Sequence, residues 1–260
     1  MGIPILMYHE VSPREAMAER YTVPMDNFRE QLRYLRDNGY QTISLREYIT
    51  NLECHGSNEG KKIILSFDDN NLSHYVTAMP LLAEFGFSAT FFIVSGFIDT
   101  QKDFMTSEQI REMERSGMSI ESHSHTHRFL SDLRDSDLRN ELETSKRVLE
   151  GLLNCPVEFI SCPGGRYSKR VLETALDAGY RGVCTSAPGL NMAVGDQVST
   201  TFQRFLVSSD TPIEMFIKIA RGDCEFVRNQ VRQHRLKTAA KRLLGNRLYH
   251  GLWQHLRRDM

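Results

Sequence analysis

The sequence predicts an α/β fold of the (β/α) barrel type. Three observations predict it. Short apolar runs alternate along the chain with segments of helical periodicity. The runs are continuous rather than alternating, as parallel strands covered on both faces require. Histidines and carboxylates follow the C-terminal tips of those runs, and that is the face on which barrels build their sites.

The elements follow in order. IPILMYH (3–9) reads as a buried strand ending in a polar tip. Phe28, Leu32 and Leu35 fall on one face of a helix that Asp26 would cap and Gly39 would end. QTISL is a strand, and Ser44 with Glu47 has the spacing of a capping box. KKIILSFDD is a strong buried strand, followed by a helix near 73–85 that stops at Gly86. SATFFIVS, MSIES, VEFISCP and YRGVCT are further strands, and TTFQRFLVS is the last. Helices are expected near 106–115, over 135–153 with Leu138, Leu142, Leu149 and Leu152 inward, over 168–178 and over 212–220. The one compositional shift falls near residue 225, giving a barrel over 1–225 and a tail over 226–260.

The bulk composition narrows the function. The chain has 260 residues, 40% hydrophobic and 25% charged, with a net charge of −1, so nothing global suggests nucleic acid. No stretch approaches the roughly 18 apolar residues of a spanning helix. The start lacks the basic and apolar regions of a signal peptide. Five cysteines without C-x-x-C spacing read as reduced thiols, so the expected compartment is the cytoplasm. The charge is unevenly spread, however. Residues 226–260 hold nine basic side chains and one acidic, with Leu236, Ala240, Leu244, Leu248, Leu252 and Leu256 spaced by four. This predicts a basic amphipathic helix, broken near Gly245 and Gly251. It would pack on the barrel, lie on an anionic inner-membrane surface or bind a partner.

Two motifs carry chemistry. Asp68 and Asp69 end a buried strand side by side. Neighbours on an extended chain point to opposite sides, so they serve different purposes. His123, His125 and His127 follow another strand. If the segment is a helical turn, His123 and His127 at i, i+4 meet one metal and His125 faces elsewhere. One carboxylate and two imidazoles make an open divalent site with room for water. Alone, an Asp pair is more often a turn or cap; both motifs together at strand tips favour metal.

ILSFDDNNLSHYVTAMPLLAEFGFSATFFIV followed by ESHSHTH resembles the polysaccharide deacetylase family of metal-dependent carbohydrate esterases, whose motifs are T-F-D-D-G and H-[ST]-x-x-H. ILMYHEV, FREQLRYLRDNGYQTISL and CPGGRYSKRVLETALDAGYRGVCTSAPGLN are similar to it as well, so the likeness covers roughly residues 3–210. It implies a distorted barrel of about seven parallel strands. Asp68 would be the general base and Asp69, His123 and His127 the ligands of one divalent ion. Zinc is the expected ion, with cobalt, nickel or manganese as alternatives. A backbone N–H near Gly164 would meet the oxyanion. The implied substrate is an N-acetylated glycan of surface or exopolysaccharide biosynthesis. Removal of another small acyl group, or sugar binding without catalysis, are the rival readings.

The chain departs from the family pattern at three places. The late L-x-x-H histidine is missing, while Leu6-Met7-Tyr8-His9 supplies that spacing at the first strand tip. First and last strands of a barrel are neighbours, so His9 is the expected general acid. Ser161 stands near the place of the third motif's arginine, leaving Arg166 and Arg204 as candidates to hold Asp68. Asn70 replaces the motif glycine, tolerates left-handed φ and is a candidate to touch substrate.

Overall fold

The computed structural model describes residues 2–12, 20–55, 60–192 and 199–256. Six parallel strands run side by side: β1 (Ile3–Tyr8), β2 (Lys62–Phe67), β3 (Thr90–Ile93), β4 (Ser119–Ser122), β5 (Phe159–Ser161) and β6 (Gly182–Cys184). The helices between them are α1 (Met25–Asp37), α2 (Leu45–His55), α3 (Met79–Phe85), α4 (Ser107–Arg115), α5 (Asp135–Leu153) and α6 (Lys169–Asp177). The expected last strand is one stretch broken in two. β7 (Thr201–Phe202) pairs with β6, and β8 (Phe205–Leu206) pairs with Leu6 and Met7 of β1. The seventh position therefore spans the gap and nearly closes the barrel.

A competitor for β1 explains the break. Leu190–Asn191 pairs antiparallel with Ile3 and Pro4, taking the lower half of that edge. The last strand reaches β1 only above it. Asn191 patches the discontinuity: its side chain accepts from Gln203 N–H at 2.9 Å and donates to Gln203 C=O at 2.9 Å.

Alternation along the strands sorts side chains into two cores. Ile5, Ile64, Phe92, Phe159, Cys184 and Phe202 form one cluster, and Ile43, Leu45, Tyr48 and Ile49 join it. This is the barrel interior, closed at its lower end by α2. Leu6, Leu65, Phe91, Ile93 and Ile160 belong to the larger core beneath the outer helices. The residues that continue the interior rows upward are polar: Ser66, Asp68, Ser161 and Arg204, all buried.

Several local expectations are corrected. Pro24, not Asp26, precedes α1; Asp26 lies in its first turn, where it meets the positive helix end. QTISL contributes only Gln41–Thr42 as strand, because Ser44 and Glu47 exchange capping-box bonds and start α2. The helix expected near 73–85 opens as a π-turn over His74–Ala78 before α3.

After α7 (Ile213–Ala220), α8 runs from Cys224 to Leu256 without the breaks expected near Gly245 and Gly251. Phe226 and Val227 pack against the large core, but Leu236 is 62% exposed, so it does not pack on the barrel. Arg257, Arg258 and Asp259 of the expected tail lie outside the described residues.

Candidate active site

The strand tips bring the two motifs together. Asp68 follows β2 and donates its backbone N–H to Tyr8 C=O across the sheet at 3.0 Å. The chain then turns sharply, with positive φ at Asp69 (80°) and Asn70 (41°), and this turn swings the Asp69 carboxylate over the barrel mouth. Residues 123–127 follow β4 as an irregular loop, not the helical turn that i, i+4 spacing suggested; Ser124 and His127 have φ of 67° and 59°. The loop still delivers both rings. Asp69 Oδ1 lies 3.2 Å from His123 Nε2 and 3.1 Å from His127 Nε2.

Hydrogen bonds hold this loop from behind. Glu141, buried on α5, accepts from the N–H groups of His125 and Thr126 at 3.0 and 2.9 Å and also takes the Thr126 hydroxyl. Ser145 Oγ donates to Ser124 C=O at 3.0 Å. His125 turns to the Ser95 hydroxyl at 2.9 Å. Sequence reasoning missed Glu141. The available signal was a carboxylate and a serine inside the stripe Leu138, Leu142, Leu149, where an unpartnered polar group would be costly.

These residues fit a divalent cation. His123 Nδ1 lies 2.9 Å from Ser161 C=O, which only accepts, so that nitrogen carries the proton and Nε2 presents a lone pair. Asp69 Oδ1 is buried without a hydrogen-bond partner. A carboxylate oxygen facing an imidazole lone pair leaves a place for a positive charge. The local potential agrees: burial lowers the His123 pKa, yet Asp68 and Asp69 outweigh it and the net shift is upward.

Asp68 sits deeper and is gripped by Arg204. The guanidinium donates from Nη1 to Oδ1 and from Nη2 to Oδ2, both at 2.8 Å, in a bidentate pair with Arg204 0% exposed. Arg204 Nε donates to Thr185 C=O at 3.0 Å, and Nη2 also reaches Ser161 Oγ at 2.7 Å. That hydroxyl donates on to Asp68 Oδ2 at 3.0 Å. Burial alone would raise the Asp68 pKa; Arg204 and His123 outweigh it and hold the carboxyl at about 2. The arginine comes from the break between β7 and β8, and Ser161, which accepts from it, stands near the sequence place of the third motif's arginine. Arg166 is elsewhere: it pairs with Asp132 at 2.7 Å and lies over the Phe129 ring.

His9 caps β1, its ring against Tyr21 at 4.9 Å, with a buried Nδ1 that has no partner. Burial lowers its pKa while Asp68 and Asp69 oppose the shift. Its carbonyl is held by His74 Nε2. Gly164 is exposed in the turn Pro163–Gly165 with φ of 61°, and a Cβ there would come within 2.6 Å of Phe129. Asn70 is fully buried, and its Oδ1 accepts from Val94 N–H at 3.1 Å; it ties the turn to β3 and does not face a substrate.

The family model described as polysaccharide deacetylase matches residues 55–183. The chain is 34% identical over 206 residues to YxkH of Bacillus subtilis, a protein assigned to that family, across 79% of this chain and 71% of that one. The chain belongs to the polysaccharide deacetylase family. The family is metal-dependent, and membership makes the chain a hydrolase of non-peptide carbon–nitrogen bonds. A second relative is the poly-β-1,6-N-acetyl-D-glucosamine N-deacetylase of Escherichia coli, 30% identical over 142 residues. That match covers 48% of this chain and only 20% of the relative. Among solved structures, the Streptococcus pyogenes deacetylase PplD in complex with acetate superposes with a TM-score of 0.76 at 28% identity, covering 85% and 98% of the two chains. IcaB from Ammonifex degensii, at 24% identity and a TM-score of 0.72, shares the fold.

Proposed function

We propose that this deacetylase removes N-acetyl groups from hexosamine units of an oligo- or polysaccharide, or of a lipid-linked saccharide, in surface glycan biosynthesis. The carrying observation is Asp69 converging with His123 and His127 beside an Asp68 fixed by Arg204. Zinc is the proposed ion, held by those three side chains. A divalent ion bound there supplies Lewis-acid polarisation of the amide carbonyl and acidifies a water.

The residues divide the remaining work. Asp68 accepts the proton of the attacking water as its oxygen adds to the acetyl carbon. A carboxyl held at about 2 is ionised at neutral pH, which is the form that accepts a proton. The Gly164 N–H donates to the oxyanion. His9 gives a proton to the nitrogen as the carbon–nitrogen bond breaks, and acetate and an amine leave.

Amine release from N-acetylated hexosamine oligomers by zinc-reconstituted protein tests the reading. Asp68→Asn is expected to lower turnover by about 10²–10⁴-fold. Unchanged turnover in Asp68→Asn, or no release by wild type, overturns it. We propose the cytoplasm as the compartment and an anionic membrane surface as the contact of the basic tail. The support is the cysteine usage and the excess of arginine and lysine over 226–260. Cell fractionation and co-sedimentation with anionic against zwitterionic vesicles check the two points.

A further inference from the structure

The turn Pro163–Gly165 places two consecutive glycines at positive φ, 61° at Gly164 and 66° at Gly165. We infer that Phe129, backed by Arg166, is a positioning residue for this turn. Its ring walls the Gly164 peptide in place, so that the Gly164 N–H stands ready for the oxyanion. The inference rests on the deacetylase reading above, in which that N–H is the oxyanion donor, and it gives Arg166 a role apart from Asp68.

A donor to developing charge works best when it is fixed before the charge appears. A Gly-Gly pair is the backbone least suited to that purpose, because each glycine has the widest choice of φ and ψ. Hydrogen bonds supply part of the restraint. Gly165 N–H donates to Cys162 C=O at 2.8 Å, and Cys162 N–H donates to Cys184 C=O at 3.0 Å. Contacts at the Cα of each glycine supply more. A Cβ on Gly165 would meet Ser186 Oγ at 2.3 Å, and that hydroxyl is itself directed to Met7 Sδ of β1 at 3.6 Å. A Cβ on Gly164 would meet Phe129 Cε1 at 2.6 Å and Cδ1 at 3.2 Å, so a ring edge closes that side. The turn is gripped between the loop after β4 and the segment after β6.

Phe129 is 42% exposed and needs a support of its own. Arg166 supplies it. Its guanidinium carbon lies 3.8 Å from the ring centroid, and Nη1 donates to Asp132 at 2.7 Å. Asp132 N–H donates back to Phe129 C=O at 3.0 Å, and Leu130 between them is fully buried. Arg170 adds a second tie, donating from Nη2 to Ser131 C=O at 3.1 Å and to Leu133 C=O at 2.8 Å. Arg166 follows directly on Gly165, so the turn carries the side chain that presses the ring against it. The same loop holds His127, two residues before Phe129, and the test must therefore separate the wall from the metal.

Kinetics of zinc-loaded protein on N-acetylated hexosamine oligomers read the wall. Phe129→Ala is expected to lower kcat by about 10–100-fold with KM unchanged, the effect of a donor misplaced rather than removed. Arg166→Ala, at the surface, should lower kcat in the same way by a smaller factor. Phe129→Tyr keeps the ring edge and face and should hold wild-type kcat. Lys169→Ala removes a cation that pairs with Glu173 instead, at 3.2 Å, and should leave kcat in place. Zinc affinity in chelator competition should match wild type in Phe129→Ala. A loss of zinc affinity as large as the loss of kcat would mean that the ring acts through His127. A rise in KM at constant kcat would make the ring a substrate contact. Either result overturns the proposal, as does an unchanged kcat. Amide hydrogen exchange needs no turnover: the Gly165 N–H should exchange about tenfold faster in Phe129→Ala, and equal rates overturn the wall. Absence of wild-type turnover on every N-acetylated substrate, with that exchange difference intact, overturns the deacetylase reading alone.

Discussion

At the scale of single residues, the decisive feature is a buried ion pair that no local motif announces. Asp68 and Arg204 are 136 positions apart and both inaccessible. Removing one partner strands a charge in the interior, at a cost of about 3–5 kcal/mol, whereas replacing both with apolar groups is close to neutral. Arg204→Ala is therefore expected to lower unfolding stability by about that amount in urea titration, and Asp68→Leu with Arg204→Met to recover most of it. A loss below about 1 kcal/mol for Arg204→Ala would mean that solvent or another cation reaches Asp68. The acidic pair and the histidine cluster were legible in the sequence because short spacing and residue type carry their chemistry. The choice between Arg204 and Arg166 was not legible. Arg204 wins because the strand break aims it inward, while Arg166 finds Asp132 and the Phe129 ring at the surface.

At the scale of elements, legibility follows how local the determinants are. Most of the runs that became β1 to β6 are readable because they are largely apolar, though β4 is Ser119-Ile120-Glu121-Ser122, and the helices because their stripes and caps lie within one segment. TTFQRFLVS reads as one strand because nothing within it signals a break; the cause is Leu190–Asn191 occupying part of β1's edge. The histidine loop reads as a helical turn for the same reason, since Glu141 and Ser145 impose its shape from α5. This gives Glu141 a measurable role as a positioning residue. Glu141→Gln keeps the size but loses the charge-assisted bonds to two amides, so zinc affinity in chelator competition should fall about 10–100-fold, the usual effect of disturbing groups behind metal ligands. Unchanged affinity would show that Ser145 on Ser124 C=O, with Ser122 Oγ accepting from Ser124 N–H at 3.2 Å, suffices to set the loop.

At the scale of the whole molecule, the polar groups buried near the strand tips make stability depend on pH, and their signs differ. His74 is fully buried beside Phe67 and Phe91, its Nε2 on the His9 carbonyl. Burial lowers its pKa to about 4 from an ordinary value of 6.5. Between those values the unfolded chain binds a proton that the folded chain refuses, so this contribution is complete above pH 6.5 and is lost as pH falls toward 4. Asp68 acts in the same sense lower down, between 3.8 and about 2, because Arg204 and His123 outweigh its burial. Glu121 opposes His74. Burial raises it to about 7 from 4.5 against the pull of Arg46, so its ionisation in the unfolded chain erodes stability as pH rises through that window. The total curve between pH 4 and 7 is thus a difference of opposed effects, and a variant is needed to separate them. His74→Gln removes one titration and leaves Glu121 in place. The stability difference, wild type minus variant, is expected to grow by on the order of 3 kcal/mol from pH 4 to pH 6.5 and to stay level above it. A difference that is flat across pH 4 to 6.5 would mean that His74 is protonated in the folded protein. Its Nδ1 would then need an acceptor that the packing against Phe67 and Phe91 does not provide.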